Sequence, residues 1–415
     1  MGIEDAFLHD ILTHPDDDAP RLIYADWLDE RNDPRGEFIR IQCALAQLSD
    51  EDPCRWPLEL REQELLREHK AKWLPKGIGN APCVFHRGFV EETTLFLRDF
   101  PDGARPFFEQ TPLRHVCLRE PRNPSEELER TREALLRRHI ALGLPGVPGG
   151  VLGQLVFEER LRNVTQSPYL ARLKGLRLAF PLASEDVRNL IESPYVSNLT
   201  DLGLAHTYLT VDDLRLLGAA SSLTGLSKLN LSGNRLTHQS VRVLAEGRLL
   251  LQLEMLNLDS NYLGDAGAFA VREWPALPRL RRFSLGQNQF FAAGVKALAE
   301  APTLRELISL DLSRNISCDD GAADLASSKW TRLQALNLWF NGIGDSGVQA
   351  LARSETLSRL TWLNLAANRI TGTGARALIA SRGMPHLARL DLQRNGISSE
   401  EQQRLRERFG PFVYC

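Results

Sequence analysis

The stretch LSKLNLSGN at 226–234 recurs as LEMLNLDSN at 253–261, LRRFSLGQN at 280–288, LISLDLSRN at 307–315, LQALNLWFN at 333–341, LTWLNLAAN at 360–368 and LARLDLQRN at 387–395. Each copy reads L-x-x-L-x-L-x-x-N with an apolar residue at every L position. The closing residues are Asn234, Asn261, Asn288, Asn315, Asn341, Asn368 and Asn395, at intervals of 27, 27, 27, 26, 27 and 27 residues. The short interval has a local cause: Ile316 follows Asn315 directly, whereas Gly342 separates Asn341 from Ile343. Self-similarity at a fixed period is the signature of a stacked repeat architecture.

Working outward, Leu199, Leu202 and Leu204 fit the frame with Thr207 in place of Asn. Leu173, Leu176 and Leu178 fit with Pro181, and Leu113, Val116 and Leu118 fit more loosely with Pro121. Alternation in x-L-x-L-x turns the two Leu inward and the x residues outward, so each unit supplies one short strand. A buried Asn at the strand exit satisfies backbone groups that are costly to leave unpaired. The Ala/Leu-rich segments that follow, such as GVQALARS and GARALIAS, return as helices. Strands stack about 4.8 Å apart whereas helices need about 10 Å, so the helical side fans out.

Residues 113–398 therefore resemble the leucine-rich-repeat family, with the long, helix-containing units most similar to its ribonuclease-inhibitor-like subclass. The resemblance implies an α/β horseshoe solenoid with a concave parallel sheet and convex helices. Such arrays need capped ends. Ser398-Ser399-Glu400-Glu401 is a capping box opening EEQQRLRERF, Gly410 and Pro411 end that helix, and PFVYC adds a final strand, making 399–415 a C-terminal cap. No catalytic domain is expected after the repeats.

Residues 1–50 read as a small all-helical domain. Phe38, Ile41, Leu45 and Leu48 form one apolar stripe, and Leu22, Ile23, Trp27 and Leu28 belong to another helix. The stretch HPDDDAPRLIYADWLDERNDPRGEFIRIQ resembles the bacterial repeat-companion domain. That likeness is carried by Arg21, Tyr24, Ala25, Asp26, Trp27, Leu28, Glu30, Arg31, Arg35, Gly36, Glu37, Phe38, Ile39 and Gln42. It implies a bacterial origin and an architecture, without an assigned activity. Residues 51–112 hold a helix (ELREQELLREHKAKWL) and a strand-like segment (VFHRGFVEETTLFL) that connect to the first repeat and cap it. LGLPGVPGGVLG, around 142–153, is an insertion within the most irregular repeat.

Composition fits a folded, soluble chain: 415 residues, 43% hydrophobic, 25% charged, formal net charge −3. That balance argues against a general nucleic-acid binder, which would carry a clear basic excess. The six cysteines show no C-x-x-C pair, so reduced thiols in a cytoplasmic protein are expected. The N-terminus lacks signal-peptide features and no segment reaches the length of a membrane span. A monomer is expected.

Several patterns suggest chemistry. Gly342-Ile343-Gly344-Asp345-Ser346-Gly347 matches G-x-G-x-x-G, but Leu263-Gly264-Asp265-Ala266-Gly267 holds the equivalent place in an earlier unit. This makes the motif an ordinary repeat turn, and no cofactor is expected. His14 with Asp16, Asp17 and Asp18 resembles a hard-cation cluster, though Asp is also a common cap before Pro20. Cys83 and His86 are half of a zinc-type pair. Catalysis in the N-terminal domain would use His14 with Asp16–Asp18, or Asp26 and Glu37, but a three-helix unit offers little pocket volume. No metal site and no catalytic residue is expected.

The outward columns are more informative. The position four before each Asn reads Asn230, Asn257, Ser284, Asp311, Asn337, Asn364 and Asp391, a polar, mildly acidic strip. Trp339 and Trp362 also point outward, Phe340 follows Trp339, and Met255 lies further back. With Arg282, Arg314, Arg389 and Arg394 nearby, these are the residue types of interface hot spots. The expected function is a protein-binding scaffold or adaptor holding a protein partner on the concave face, through Trp339, Phe340, Trp362, Asn337, Asn364, Asp311, Arg389, Asp391, Met255 and Arg282. The alternative is regulation of another enzyme in trans, of the nuclease-inhibitor or GTPase-regulator type.

Overall fold

The computed structural model describes residues 2–48, 54–100, 102–120, 161–275 and 277–415; the insertion at 142–153 and Pro121 lie outside them. The chain forms two compact units, Met1–Phe180 with Glu192–Leu199, and Pro181–Ile191 with Thr200–Cys415.

In the first unit, helices α1 (Ile3–Thr13), α2 (Ala19–Asp29), α3 (Arg35–Gln47) and α4 (Arg55–Trp73) precede strands β1 (Cys83–His86) and β2 (Phe89–Phe96). Pro20 sits in the first turn of α2, where its missing N–H costs nothing. Ile11, Tyr24, Ala25, Leu28, Ile39, Cys43 and Phe89 form one buried cluster, with Phe7, Leu8 and Trp27 packed on it. Phe38 stacks on Trp73 at 4.7 Å and meets Phe85 edge-on at 5.6 Å. The strand-like segment is thus a hairpin, β1 pairing antiparallel with β2. Arg87 and Gly88 turn it with φ of 49° and 87°, as a type I′ turn requires. A Cβ at Gly88 would lie 2.2 Å from Ile39 Cγ1, so this position needs glycine for its close approach as well as its backbone. After α5 (Arg105–Gln110), β3 (His115–Arg119) runs parallel to β2, and β4 (Gly175–Ala179) runs parallel to β3.

The second unit repeats strand and helix: β5 (Asp201–Gly203), α6 (Val211–Ala219), β6 (Lys228–Asn230), α7 (His238–Glu246), β7 (Met255–Asn257), α8 (Gly264–Arg272), β8 (Arg282–Ser284), α9 (Ala292–Glu300), β9 (Ser309–Asp311), α10 (Cys318–Ala326), β10 (Ala335–Asn337), α11 (Asp345–Arg353), β11 (Trp362–Asn364), α12 (Gly372–Ile379), β12 (Arg389–Asp391), α13 (Ser399–Phe409) and β13 (Val413–Tyr414). From β5 to β13 each strand pairs in parallel with the next, equivalent residues opposite one another. The chain is an α/β solenoid. Its core is the stacked apolar positions of the repeat, Leu229, Leu256, Phe283, Leu310, Leu336, Leu363 and Leu390 among them, all at most 1% exposed.

The repeat asparagines join neighbouring units. Asn234 Oδ1 accepts from Thr207 N and Leu209 N, and its Nδ2 donates to Leu204 O and Leu231 O. The same scheme recurs where Asn261 serves Asn234 and Leu236, Asn315 serves Asn288 and Phe290, and Asn368 serves Asn341 and Ile343. Thr207 fills the Asn position as a fully buried residue, its hydroxyl donating to Leu204 O. At the short interval the partner changes, and Ser317 Oγ donates to Asn341 Oδ1 at 3.0 Å. Asn288 Oδ1 is buried without a hydrogen-bond partner among the described residues. Burial fades at the C-terminal end, where Asn368 and Asn395 are half-buried, because fewer units stack beyond them. At the cap, Ser398 Oγ accepts from Glu401 N and Glu401 Oε2 from Ser398 N.

Candidate functional site

The residue before each Asn adopts a left-handed backbone in every unit: φ is 56° at Ser260, 54° at Gln287, 55° at Arg314, 54° at Phe340, 53° at Ala367 and 59° at Arg394. Trp339 is half-buried, whereas Phe340 is 57% exposed. Their rings lie 6.1 Å apart, and the Arg314 guanidinium sits 5.2 Å from the Trp339 ring and 6.0 Å from the Phe340 ring. One strand over, Trp362 is half-buried and pairs in register with Arg389. The Arg389 guanidinium stands 6.0 Å from the Trp362 ring and 5.7 Å from that of Tyr414. Trp339, Asn364 and Asp391 line one small cavity of about 300 Å³ with Ala366, Gln393 and Arg394.

The polar strip is partly spent on the fold. In Asn230, Asn257, Asp311, Asn337, Asn364 and Asp391, Oδ1 accepts from the N–H two residues on, at 2.8–3.1 Å. These Asx turns hold the strand exit. Asn337 Nδ2 also donates to Asp311 Oδ2 at 2.7 Å, across directly opposed positions of β9 and β10. Met255 and Arg282 face each other on β7 and β8. Arg282 is three strands from Trp362, or roughly 14 Å at the usual strand spacing. Trp362, in register with Ala335, is itself roughly 13 Å along the strand direction from Trp339, so the two tryptophans mark opposite ends of the strands.

Reading only the outward strand columns misses further exposed apolar residues. Tyr208, Tyr262 and Ile316 each follow an Asn-type position and, with Phe291, are at least half exposed. The Arg235 guanidinium lies 4.9 Å from the Tyr208 ring. A column taken one residue after the Asn position would have shown Tyr208, Tyr262 and Ile316, though not Phe291; Tyr414 follows from alternation in the last strand.

Asp259 and Asp311 share this face. Burial, reinforced by the Asp311 charge, pushes the Asp259 carboxyl up to about 6, while Gly286 N donates to its Oδ1 at 2.6 Å. Its folded pKa lies above the unfolded value of about 3.9. The associated stability is therefore complete below about pH 4 and lost as pH rises through about 6. Asp259→Asn keeps an acceptor for Gly286 and removes the charge. It is expected to raise stability at pH 7.5 by about 1 kcal/mol, the linkage value discounted for partial solvent exposure. Urea midpoints of both proteins between pH 4 and 8 check this, because the difference should vanish at the acid end.

The other patterns are satisfied internally. In the G-x-G-x-x-G segment, Gly344 N and Gly347 N donate to Asp319 Oδ1 at 2.6 and 3.1 Å. The helix-start amides that would cradle a phosphate already hold a carboxylate of the preceding unit. A Cβ at Gly347 would fall 2.7 Å from that oxygen. Asp265 and Asp345 serve Phe291 N and Thr371 N in the same way. Around the N-terminal acids, His14 bonds Asp10, Arg114 bonds Asp16, Arg87 bonds Asp18, and Asp17 accepts from Ala19 N. Asp26 pairs with Arg40, and Glu37 takes a bidentate bond from Arg61 at 2.7 and 2.8 Å. Cys83 is buried against Ala81 O and Thr93, whereas His86 approaches Glu92. Among the described residues no group of three or more His, Cys, Asp or Glu side chains is placed to hold a metal ion, and no helix is long and apolar enough to cross a membrane.

A family model described as a leucine-rich repeat matches residues 331–352, which span β10, Trp339, Phe340 and most of α11. That match, with the many parallel strands, fits a leucine-rich-repeat protein and supports a protein-interaction scaffold in general terms. A search of curated proteins finds no match.

Proposed function

We propose that the chain is a non-catalytic binding scaffold or adaptor whose sheet face, concave in the horseshoe of the ribonuclease-inhibitor-like subclass, holds a protein partner. One observation carries this reading: Phe340, an aromatic residue more than half exposed, stands beside Trp339 and under Arg314 on the sheet face. Exposing large aromatic surface does not help folding, and such patches mark where another molecule binds. Trp362 and Arg389 extend the patch, with Asn337, Asn364, Asp311 and Asp391 as its polar floor and Met255 and Arg282 as outlying contacts. Residues 1–50 fit a repeat-companion domain, in keeping with a bacterial, cytoplasmic, monomeric protein.

The test is affinity capture from the native host, followed by binding of the purified partner to wild type and to Trp339→Ala/Trp362→Ala. Loss of two hot-spot aromatics should weaken binding by about a hundredfold or more, with circular dichroism unchanged. An unchanged affinity would move the binding site off this face.

A further inference from the structure

Exposed arginines occur on both the helical side and the sheet face of the second unit. Among the helices and their connections, Arg215 pairs with Asp212, Arg272 with Glu300, Arg332 with Glu306, Arg376 with Glu401 and Arg404 with Glu400, all within 3.1 Å, whereas Arg242, Arg353 and Arg406 are exposed with no carboxylate at ion-pair distance among the described residues. On the sheet face and its rim, Arg314, Arg389 and Arg394 are exposed, and none has a carboxylate within ion-pair distance among the described residues. Two of them are placed by ring faces instead, Arg314 over Trp339 and Phe340, and Arg389 over Trp362 and Tyr414. A guanidinium lying on an aromatic ring keeps its N–H edge free and loses little further freedom when it binds. That edge is a planar fork matched to a carboxylate, and the bidentate pair is strong and directional.

We infer that this face recognises an acidic peptide segment of the partner, its Asp or Glu side chains landing on Arg314, Arg389 and Arg394. The inference rests on the proposed use of the face for binding and specifies what binds there. The cavity beside Trp339 fits the scheme: Ala366 leaves a notch of about 300 Å³ with Arg394 and Gln393 at its wall, room for one carboxylate side chain with its methylenes on the indole. Asp391 lines the same notch but already accepts from Gln393 N. Asp311 and Asp391 make the face unsuited to a continuous phosphate backbone, whose charge cannot skip them. A peptide can place discrete carboxylates between them.

The experiment measures fluorescence anisotropy of the full chain with a labelled peptide of repeated Glu-Glu-Phe, its Gln-Gln-Phe and Lys-Lys-Phe counterparts, and single-stranded oligothymidylate. The glutamate peptide should bind best, weaken as salt rises, and lose at least about tenfold in affinity in R314Q/R389Q/R394Q. R332Q/R404Q, which removes paired arginines, should bind as wild type. R314K/R389K/R394K keeps the charge but not the fork; it should bind at an intermediate level and covers the case in which the glutamine variant misfolds. Equal binding of the glutamine peptide, tighter binding of the lysine peptide or of oligothymidylate, or equal loss in R332Q/R404Q would overturn the inference. A captured partner lost in Trp339→Ala/Trp362→Ala but retained in the arginine variants would overturn the acidic chemistry alone and leave the binding face standing.

Discussion

Glu91→Ala is expected to destabilise the first unit by about 3–5 kcal/mol, the range for stripping one partner from a buried ion pair. Glu91 is 4% exposed and Arg21 fully buried. Glu91 Oε1 accepts from Arg21 Nη2 at 2.8 Å, and both its oxygens accept from Arg87 Nη2 at 2.9–3.0 Å. Without the carboxylate, Arg21 keeps, among the described residues, the Asp17 carbonyl at 2.8 Å and the face of Phe89, 5.9 Å away. Burial already lowers the Arg21 pKa despite the opposing pull of Glu91. Arg21→Met should cost less, about 1–3 kcal/mol, since Glu91 would still hold Arg87. The order of the two variants in differential scanning calorimetry is the decisive reading. If Arg21→Met proved the more damaging, the carboxylate rather than the guanidinium would be the charge in need of rescue.

Asn234→Ala is expected to cost about 2–4 kcal/mol, from several backbone groups left buried and unpaired. Asn234 is 3% exposed. Alanine removes the acceptor used by Thr207 N, Thr207 Oγ1 and Leu209 N, and the donors to Leu204 O, Leu231 O and Ser232 O. Asn395→Ala removes a comparable side chain at a half-buried position near the end of the stack, where water can replace it. It should cost no more than about 1 kcal/mol. Urea denaturation of both variants measures the gap; equal losses would mean that burial does not govern the strength of this ladder.

Some of this was legible in the chain alone because the repeat is written locally. Seven asparagines at near-constant spacing, with apolar residues at fixed offsets, define strands, helices and the direction of stacking without any distant contact. Alternation also placed Trp339 and Trp362 in the outward columns. The chemistry of the face was less legible. Asn337, Asn364 and Asp391 look like free ligand groups in a column of letters, yet each turns one oxygen to its own backbone two residues on. Tyr208 and Tyr262 escaped because they follow Thr207 and Asn261 at the Asn position, outside the strict strand alternation.

Sequence by itself determined the repeat and its period, because side-chain alternation and the buried Asn act within a single unit and between equivalent positions. Tertiary structure alone decided what the ambiguous motifs do. Arg21 reads as one residue of a family likeness until folding brings it to Glu91, seventy residues away. The glycine-rich turn at 342–347 matches a phosphate cradle until stacking delivers Asp319 to its amides. In both cases a charged group's role depends on whether the charge opposite it comes from the chain or from a ligand, and that pairing exists only once distant segments have packed and excluded water.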